Sequence, residues 1–451
     1  MIDILHIYIK MIYIRFSNLD KIMKKQILTI GFSVLVFCSN LSALTLEEAI
    51  SESLTNNLSL KMEDSSLIIA EEELYQSKVD FLPTLVLSGT ISETEKSGIT
   101  SQGGVVSSDY ELSPSSKSII LSQTIFNGFG RTYNIQSSRA EFELQKLNKI
   151  KVQQDIALET IEAYFNILVS EKSLKSYEDN FKTVSERLSS TKKEFEVGLS
   201  STTDVAQAEA HYNAAKIDLL SAKISHQNAK NAFKDLVGVD AKNLSFSNIN
   251  GYLPKSFSEF KDLVTNNNLS IQMAKSNLDI KSSDVGVAKS AYYPQVNLTA
   301  SKTELDEFSS LVDEITSEEI EATISWPIFN KGKSSSTVRQ AEQLKNKHMI
   351  LLQKTQQDTM SLASNIWDKY SISKETLDAA SLSYEASQTA FQGTKIEQEV
   401  GERTVLDVLN ARQSLLNAEI KFFNEQKNQE VIKAQVMYLA GILTLENIKG
   451  S

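Results

Sequence analysis

The 451-residue chain contains one cysteine, four histidines, two tryptophans and five prolines. A lone cysteine excludes an internal disulfide framework, so stability has to come from packing or oligomerisation. The histidines (His6, His211, His226 and His348) are scattered without metal-ligand spacing, and neither a metal centre nor a cofactor is expected. Base is also scarce: 46 Lys and Arg stand against 57 Asp and Glu. That balance does not suit a nucleic-acid partner, which is held by basic patches that neutralise phosphates. Beyond Ala43 no apolar run approaches the ~20 residues of a transmembrane helix, so a membrane-inserted chain would have to enter as strands. No catalytic constellation assembles either. Asn127-Gly128-Phe129-Gly130-Arg131 and Lys331-Gly332-Lys333 join glycine to base without phosphate-loop spacing, and a backbone bend explains their glycines. The chain is not expected to be an enzyme.

What is present begins with an export signal. Met23-Lys24-Lys25 forms a basic start, Ile27 to Val36 an apolar run, and Leu41-Ser42-Ala43 a cleavage site, so 23–43 reads as a signal peptide and 1–22 as an upstream extension. Cys38 follows Phe37, where a lipidated cysteine needs a small residue.

The two halves repeat each other at a constant offset. Glu194-Phe195-Glu196-Val197-Gly198 with Asp204-Val205 matches Glu397-Gln398-Glu399-Val400-Gly401 with Asp407-Val408. Ile125-Phe126-Asn127 pairs with Ile328-Phe329-Asn330, and Asn56-Asn57-Leu58-Ser59-Leu60 with Asn267-Asn268-Leu269-Ser270-Ile271. The offset between Pro83 and Pro294 is larger, so the first half carries extra residues between Pro83 and Ile125, where a loop is expected. Self-similarity on this scale is a duplicated structural unit. The first repeat is placed at 44–240 (a short helix, a β-hairpin at 84–126, a helical hairpin at 131–237) and a linker at 241–258. The second lies at 259–443 (a short helix, a β-hairpin at 295–329, a helical hairpin at 335–440), before a tail at 444–451.

Long helices follow from periodicity. Leu174, Tyr177, Phe181, Val184, Leu188, Thr191 and Phe195 alternate spacings of three and four, a heptad seam. After Gly198 the spacing resumes with Val205, Ala208, Tyr212, Ala215, Leu219 and Ala222, small enough for a partner helix to approach closely. Gly198 and Gly401 break the helices, while Ser200 to Thr202 and Thr404 offer N-cap oxygens. A helix from about Arg131 to Val197 would be on the order of 100 Å long.

Strands follow from period two. Leu85, Leu87, Gly89 and Ile91 alternate with Thr84, Val86, Ser88 and Thr90, and Ile119, Leu121 and Ile125 with Ser118, Ser122 and Thr124. In the second half Val296, Leu298 and Ala300 alternate with polar neighbours, as do Ala322, Ile324, Trp326 and Ile328. Such strands suit lipid on one side and water on the other, with Phe126, Tyr292, Tyr293, Trp326 and Phe329 as an interfacial girdle. The segments 93–117 and 302–320 are expected as outer loops. Four strands cannot close a barrel, and open edges are not tolerated in hydrocarbon, so the protomer must oligomerise. Three copies would supply twelve strands.

On these features the chain resembles the TolC-type outer-membrane factor family over essentially its whole mature length. The residues carrying the resemblance are Leu44-Thr45-Leu46-Glu47-Glu48-Ala49-Ile50, Phe81-Leu82-Pro83, Gln123-Thr124-Ile125-Phe126-Asn127-Gly128 and the two turn motifs. The resemblance implies a mainly α fold with transmembrane β. It implies a homotrimer whose twelve-stranded outer-membrane barrel continues into a periplasmic α-helical tunnel. It also implies a passive exit duct of a tripartite efflux pump or type I secretion system, docked to a periplasmic adaptor and an inner-membrane transporter. Val197, Gly198, Leu199, Val400 and Gly401 are then similar to the tips that meet the adaptor. Arg403 and Asp204 resemble the pair that constricts the periplasmic entrance, and Asp407 a residue of its acidic ring. Asn410 stands where the family's best-known member has a second aspartate, and Gln398 where it has a tyrosine. Three Asp407 copies would favour cations, in a ring weaker than a double one. The missing phenol removes a hydrogen bond of about 0.5–1.5 kcal/mol, so closure is expected to depend more on Arg403. Glu194, Glu196, Glu397 and Glu399 read as solvated helix faces. A periplasmic adaptor or a structural coiled-coil protein of the envelope remain the alternatives.

Overall fold

The computed structural model describes residues 44–96, 101–102, 105–106, 110–241, 243–309 and 312–449. The expected signal peptide, the upstream extension and Cys38 lie outside them. The first repeat runs α1 (Leu46–Asn56), α2 (Leu58–Val79), β1 (Thr84–Ile91), the short strands β2 (Thr94–Lys96), β3 (Ser101–Gln102), β4 (Val105–Val106) and β5 (Tyr110–Leu112), β6 (Ser115–Asn127), α3 (Gly130–Glu196) and α4 (Thr202–Val237). The second runs α5 (Phe257–Asn267), α6 (Leu269–Lys289), β7 (Gln295–Ser309), β8 (Val312–Ser325), α7 (Lys333–Glu399) and α8 (Val405–Leu439), followed by α9 (Leu445–Lys449). The extra residues of the first half lie between β1 and β6.

Where one short helix was expected in each half, there are two. Asn57 and Asn268 sit at the break: each ends one helix and caps the next, its side chain accepting from Ser59 N–H at 2.8 Å or Ile271 N–H at 3.2 Å. The repeated Asn-Asn pair was the sequence signal for that break.

Helices α3 and α7 each span 67 residues, on the order of 100 Å. Helix α3 packs against α4 on one side and α8 on the other, and α8 against α7, which leaves α4 and α7 at the edges of the layer. The heptad seam holds as far as Thr191: Val184, Thr191, Ala208, Ala215 and Ala222 are buried, and Phe181 packs on Tyr212 with ring centroids 5.2 Å apart, whereas Phe195, beside the tip, is 44% exposed. Val184, Ala215 and Leu409 form one apolar layer joining both hairpins.

Midway along the hairpins, α1, α9 and the linker cover one face of α3. Tyr164 and Phe165 are fully buried there beside Ile50, Phe233, Ile249 and Ile448. The Tyr164 hydroxyl shares its one proton between the carbonyls of Leu44 (3.0 Å) and Ser245 (2.8 Å), tying both chain segments to α3. Burying each such side chain contributes about 1.5–3 kcal/mol.

The sheet order is β1-β6-β7-β8, antiparallel throughout, with β1 and β8 at open edges. Directly paired residues share a face. One face carries the row Leu85, Leu121, Ala300 and Ile320; the other carries Thr84, Ser122, Thr299 and Glu321. The apolar face is solvent-exposed in the protomer: Leu87 is 77% and Ile320 72% accessible. Outward from it the row changes to Lys302 and Glu318, an ion pair at 3.8 Å.

Two expectations change here. Residues 302–309 and 312–320 are strand rather than loop, because 295–309 and 312–325 hold no glycine or proline to stop the ladder, and the described residues of 93–117 fall mostly in the short strands β2 to β5 and the start of β6. Polar side chains do not interrupt backbone pairing once the register is set. Conversely, Trp326 and Ile328 lie beyond β8, since Pro327 between them has no N–H to donate. Trp326 instead donates its indole N–H to the Tyr292 carbonyl at 3.0 Å.

At the junction with the helices, Gly128 adopts φ 65°, and an added Cβ would meet the Ser290 carbonyl at 2.5 Å. Arg131 clamps the same corner: it donates to Asp80 O at 2.8 Å and to Thr124 O, and lies 4.5 Å from the Phe81 ring centroid.

Candidate functional site

Both long hairpins turn through the same tip. Val197 ends α3, Gly198 takes φ 79°, and the Leu199 N–H returns to Glu194 O at 2.8 Å while Gly198 N–H reaches Phe195 O at 3.0 Å. In the second tip Val400 precedes Gly401 at φ 85°, with Glu402 N–H on Glu397 O at 2.9 Å and Gly401 N–H on Gln398 O at 3.0 Å. Two otherwise orphaned carbonyls are thereby satisfied at each helix end. No atom lies within 4 Å of an added Cβ at either glycine, so glycine is required by the left-handed backbone and not by packing. Val197, Leu199 and Val400 are 70%, 80% and 70% exposed, a strong display of apolar surface for residues with no partner in the protomer.

The returning helices are capped reciprocally. Asp204 N–H donates to Ser201 Oγ at 3.1 Å and Ser201 N–H to Asp204 Oδ2 at 2.9 Å; Asp407 and Thr404 exchange the same bonds at 3.1 and 2.9 Å. Hydrogen bonds from the Ser201 hydroxyl, then its N–H, hold the Asp204 carboxyl below the usual range; for Asp407 the Thr404 N–H leads and the hydroxyl follows. A depressed carboxylate stabilises its cap fully above the unfolded value near about 3.9, and that stabilisation is lost as pH falls through the lower folded value. The Asp407 carboxylate should therefore stay ionised from neutral pH to about 4 and take up a proton only in stronger acid, which an NMR titration of the carboxyl carbon measures.

Arg403 does not reach Asp204 within the protomer. Its Nε donates to Glu397 Oε2 at 2.9 Å across its own tip, while Asp204 is engaged with Ser200 and Ser201. Glu397, read from sequence as a solvated face, is thus the partner of Arg403. Asn410 lies exposed on α8, one turn beyond Asp407. Gln398 accepts from Arg187 Nη1 at 2.9 Å, joining α7 of the second hairpin to α3 of the first. Sequence reasoning missed Arg187, whose only signal is its place between Val184 and Leu188 in the seam.

Higher up, the α3 face opposite the buried belt forms the floor of an open groove of about 700 Å³ between α4 and α8, lined by Glu159, Glu162, Asn166, Asp218 and Lys427 among others. One face of the helical layer is therefore covered, and the groove on the other is lined by polar and small apolar side chains together with three carboxylates and one lysine. Among the described residues there is no cluster of His, Cys, Asp and Glu able to hold a metal ion.

Comparison with known proteins agrees with this architecture. The model of the outer membrane efflux protein family matches residues 49–239 and 262–441. The outer membrane efflux protein BepC of Brucella suis is 24% identical over 416 residues, covering 90% of this chain and 89% of the relative. The outer membrane protein TolC of Escherichia coli is 24% identical over 459 residues, covering 95% and 87%. The crystal structure of the CmeC outer membrane channel of Campylobacter jejuni superposes with a TM-score of 0.78 at 20% identity, over 88% of this chain and 86% of that one, and so shares the fold. With both repeats matched, the chain belongs to the outer membrane efflux protein family, as an outer-membrane channel whose helices extend into the periplasm.

Proposed function

We propose that three copies close a twelve-stranded barrel and a helical tunnel, and that this duct passively receives cargo from an inner-membrane transporter through an adaptor docked on the hairpin tips. The observation that carries the reading is a four-stranded sheet with two open edges and one exposed apolar face. Such a sheet is stable in lipid only when its edges are paired. The helical layer ends the same way. Its edge helix α4 exposes Ile217, Leu220 and Ile224 at 53–65%, and the opposite edge helix α7 exposes Leu362, Ile372 and Leu382 at 49–67%. Both layers therefore present complementary unpartnered edges to further copies of the chain. The acidic, polar groove opposite the belt suits the inner wall of a water-filled duct, where few contacts would discriminate between cargoes.

Three tips would place Arg403, Asp407, Asn410 and Asp204 around the periplasmic entrance, with Arg403 leaving Glu397 if it pairs with a neighbour's Asp204. Purified protein in planar bilayers should give a small, cation-selective pore. Arg403→Ala should widen it, and Asp407→Ala should abolish block by trivalent cations. Folded protein that stays soluble without detergent and forms no pore would overturn the reading.

A further inference from the structure

Seven residues above Val405 the apolar seam of α8 is interrupted by a charge. Val405, Leu409, Arg412 and Leu416 follow the four-three-four spacing of one helix stripe, and Leu409 (4%) and Leu416 (0%) are core residues. Arg412 is buried with them at 7% exposure. Its Nη2 donates to the Ser176 carbonyl of α3 at 3.2 Å, and its guanidinium lies 5.7 Å from the Phe391 ring centroid on α7. No carboxylate reaches Arg412 within ion-pair distance among the described residues; Asp179 and Glu419 act only from farther away. Its Nε is buried without a hydrogen-bond partner. So is Oδ1 of Asn180, which is 2% exposed and one turn along α3 from Ser176. An orphaned donor and an orphaned acceptor thus face the same layer where the second hairpin meets the first.

A buried charge without a counter-ion opposes the packing that buries it, and apolar replacements at such places are often stabilising. A charge within a seam also fixes register, at a cost in stability. Arg412 is 7% exposed with the hairpins packed, and its guanidinium would be fully hydrated once the second hairpin moved off α3. We infer that Arg412 is a positioning residue that sets the register of the second hairpin on the first and biases that hairpin toward swinging away, so that the entrance rests near its opening point. This rests on the duct reading above and adds to it a stored opening bias opposed by the Arg187–Gln398 bond.

The test uses the full-length protein with Arg412→Met, which keeps the stem and removes the charge, and Asn180→Asp, which keeps the shape and supplies a counter-charge. Both should raise the urea midpoint of helix unfolding and shorten the dwell in the wider conductance state by roughly tenfold. The double variant, left with an unpaired carboxylate, should unfold at lower urea than either single one. An Arg412→Met protein that unfolds earlier and dwells longer in the wide state would make Arg412 a closing strut, and the inference would be wrong. The urea comparison does not depend on pore formation, so absence of a pore in all proteins would count against the duct reading alone.

Discussion

Replacing Leu121 with arginine is expected to abolish assembly in the outer membrane, whereas arginine at the adjacent Ser122 should leave the assembly intact. Leu121 lies in the row Leu85, Leu121, Ala300 and Ile320, the centre of the apolar face. A basic side chain facing lipid at mid-depth costs about 2–4 kcal/mol, and a trimer would carry three of them. Ser122 is in the row that ends on Glu321, and arginine there gains a carboxylate across the sheet. Heat-resistant oligomers in the membrane fraction read assembly, and reversal potentials read the second effect. Ser122→Arg should weaken cation preference because it neutralises an acidic position on the water-filled side. Equal loss of assembly in both variants would mean that the two faces are not separated by lipid and water.

The second large effect is expected at Arg187. Its bond to Gln398 is the charged link joining the two hairpins nearest their tips, and both residues are partly buried. A hydrogen bond to a charged group contributes about 1.5–3 kcal/mol, so Arg187→Ala should shift the closed-to-open ratio of a protomer by roughly tenfold to a hundredfold. Gln398→Glu would turn the bond into an ion pair and should shift the ratio the other way. Single-channel recordings of the two variants decide it: a wider or longer-lived conductance for the first and a narrower one for the second. No change in either would mean that this bond is not strained by opening. The expected sign is opposite to that at Arg412, although both arginines bridge the same two hairpins. Arg187 makes a bond that opening must break, whereas Arg412 gives up one long bond to the Ser176 carbonyl but gains hydration of a charge that has no counter-ion within ion-pair distance.

The architecture was legible because its signals are local and doubled. The seam of Val184, Ala208, Ala215 and Ala222, the tips at Gly198 and Gly401, and the alternation around Leu85 and Leu121 each depend on spacing within one element. The same spacing recurring in the other half excludes coincidence. The Asn57 and Asn268 breaks were present but unread, because a capping asparagine between two helices looks like one more polar helix position.

What the sequence determined by itself was the duplication, the hairpins and the strand faces, since periodicity and turn chemistry are written along the chain. Only the tertiary structure decided how far β7 and β8 run, that Arg403 turns to Glu397, that Gln398 is held by Arg187, and that Arg412 is buried against Ser176 without a counter-ion. Those outcomes depend on which side chains meet across elements distant in sequence. A charged residue carries the same letter whether it is solvated, paired or buried, and packing alone settles which.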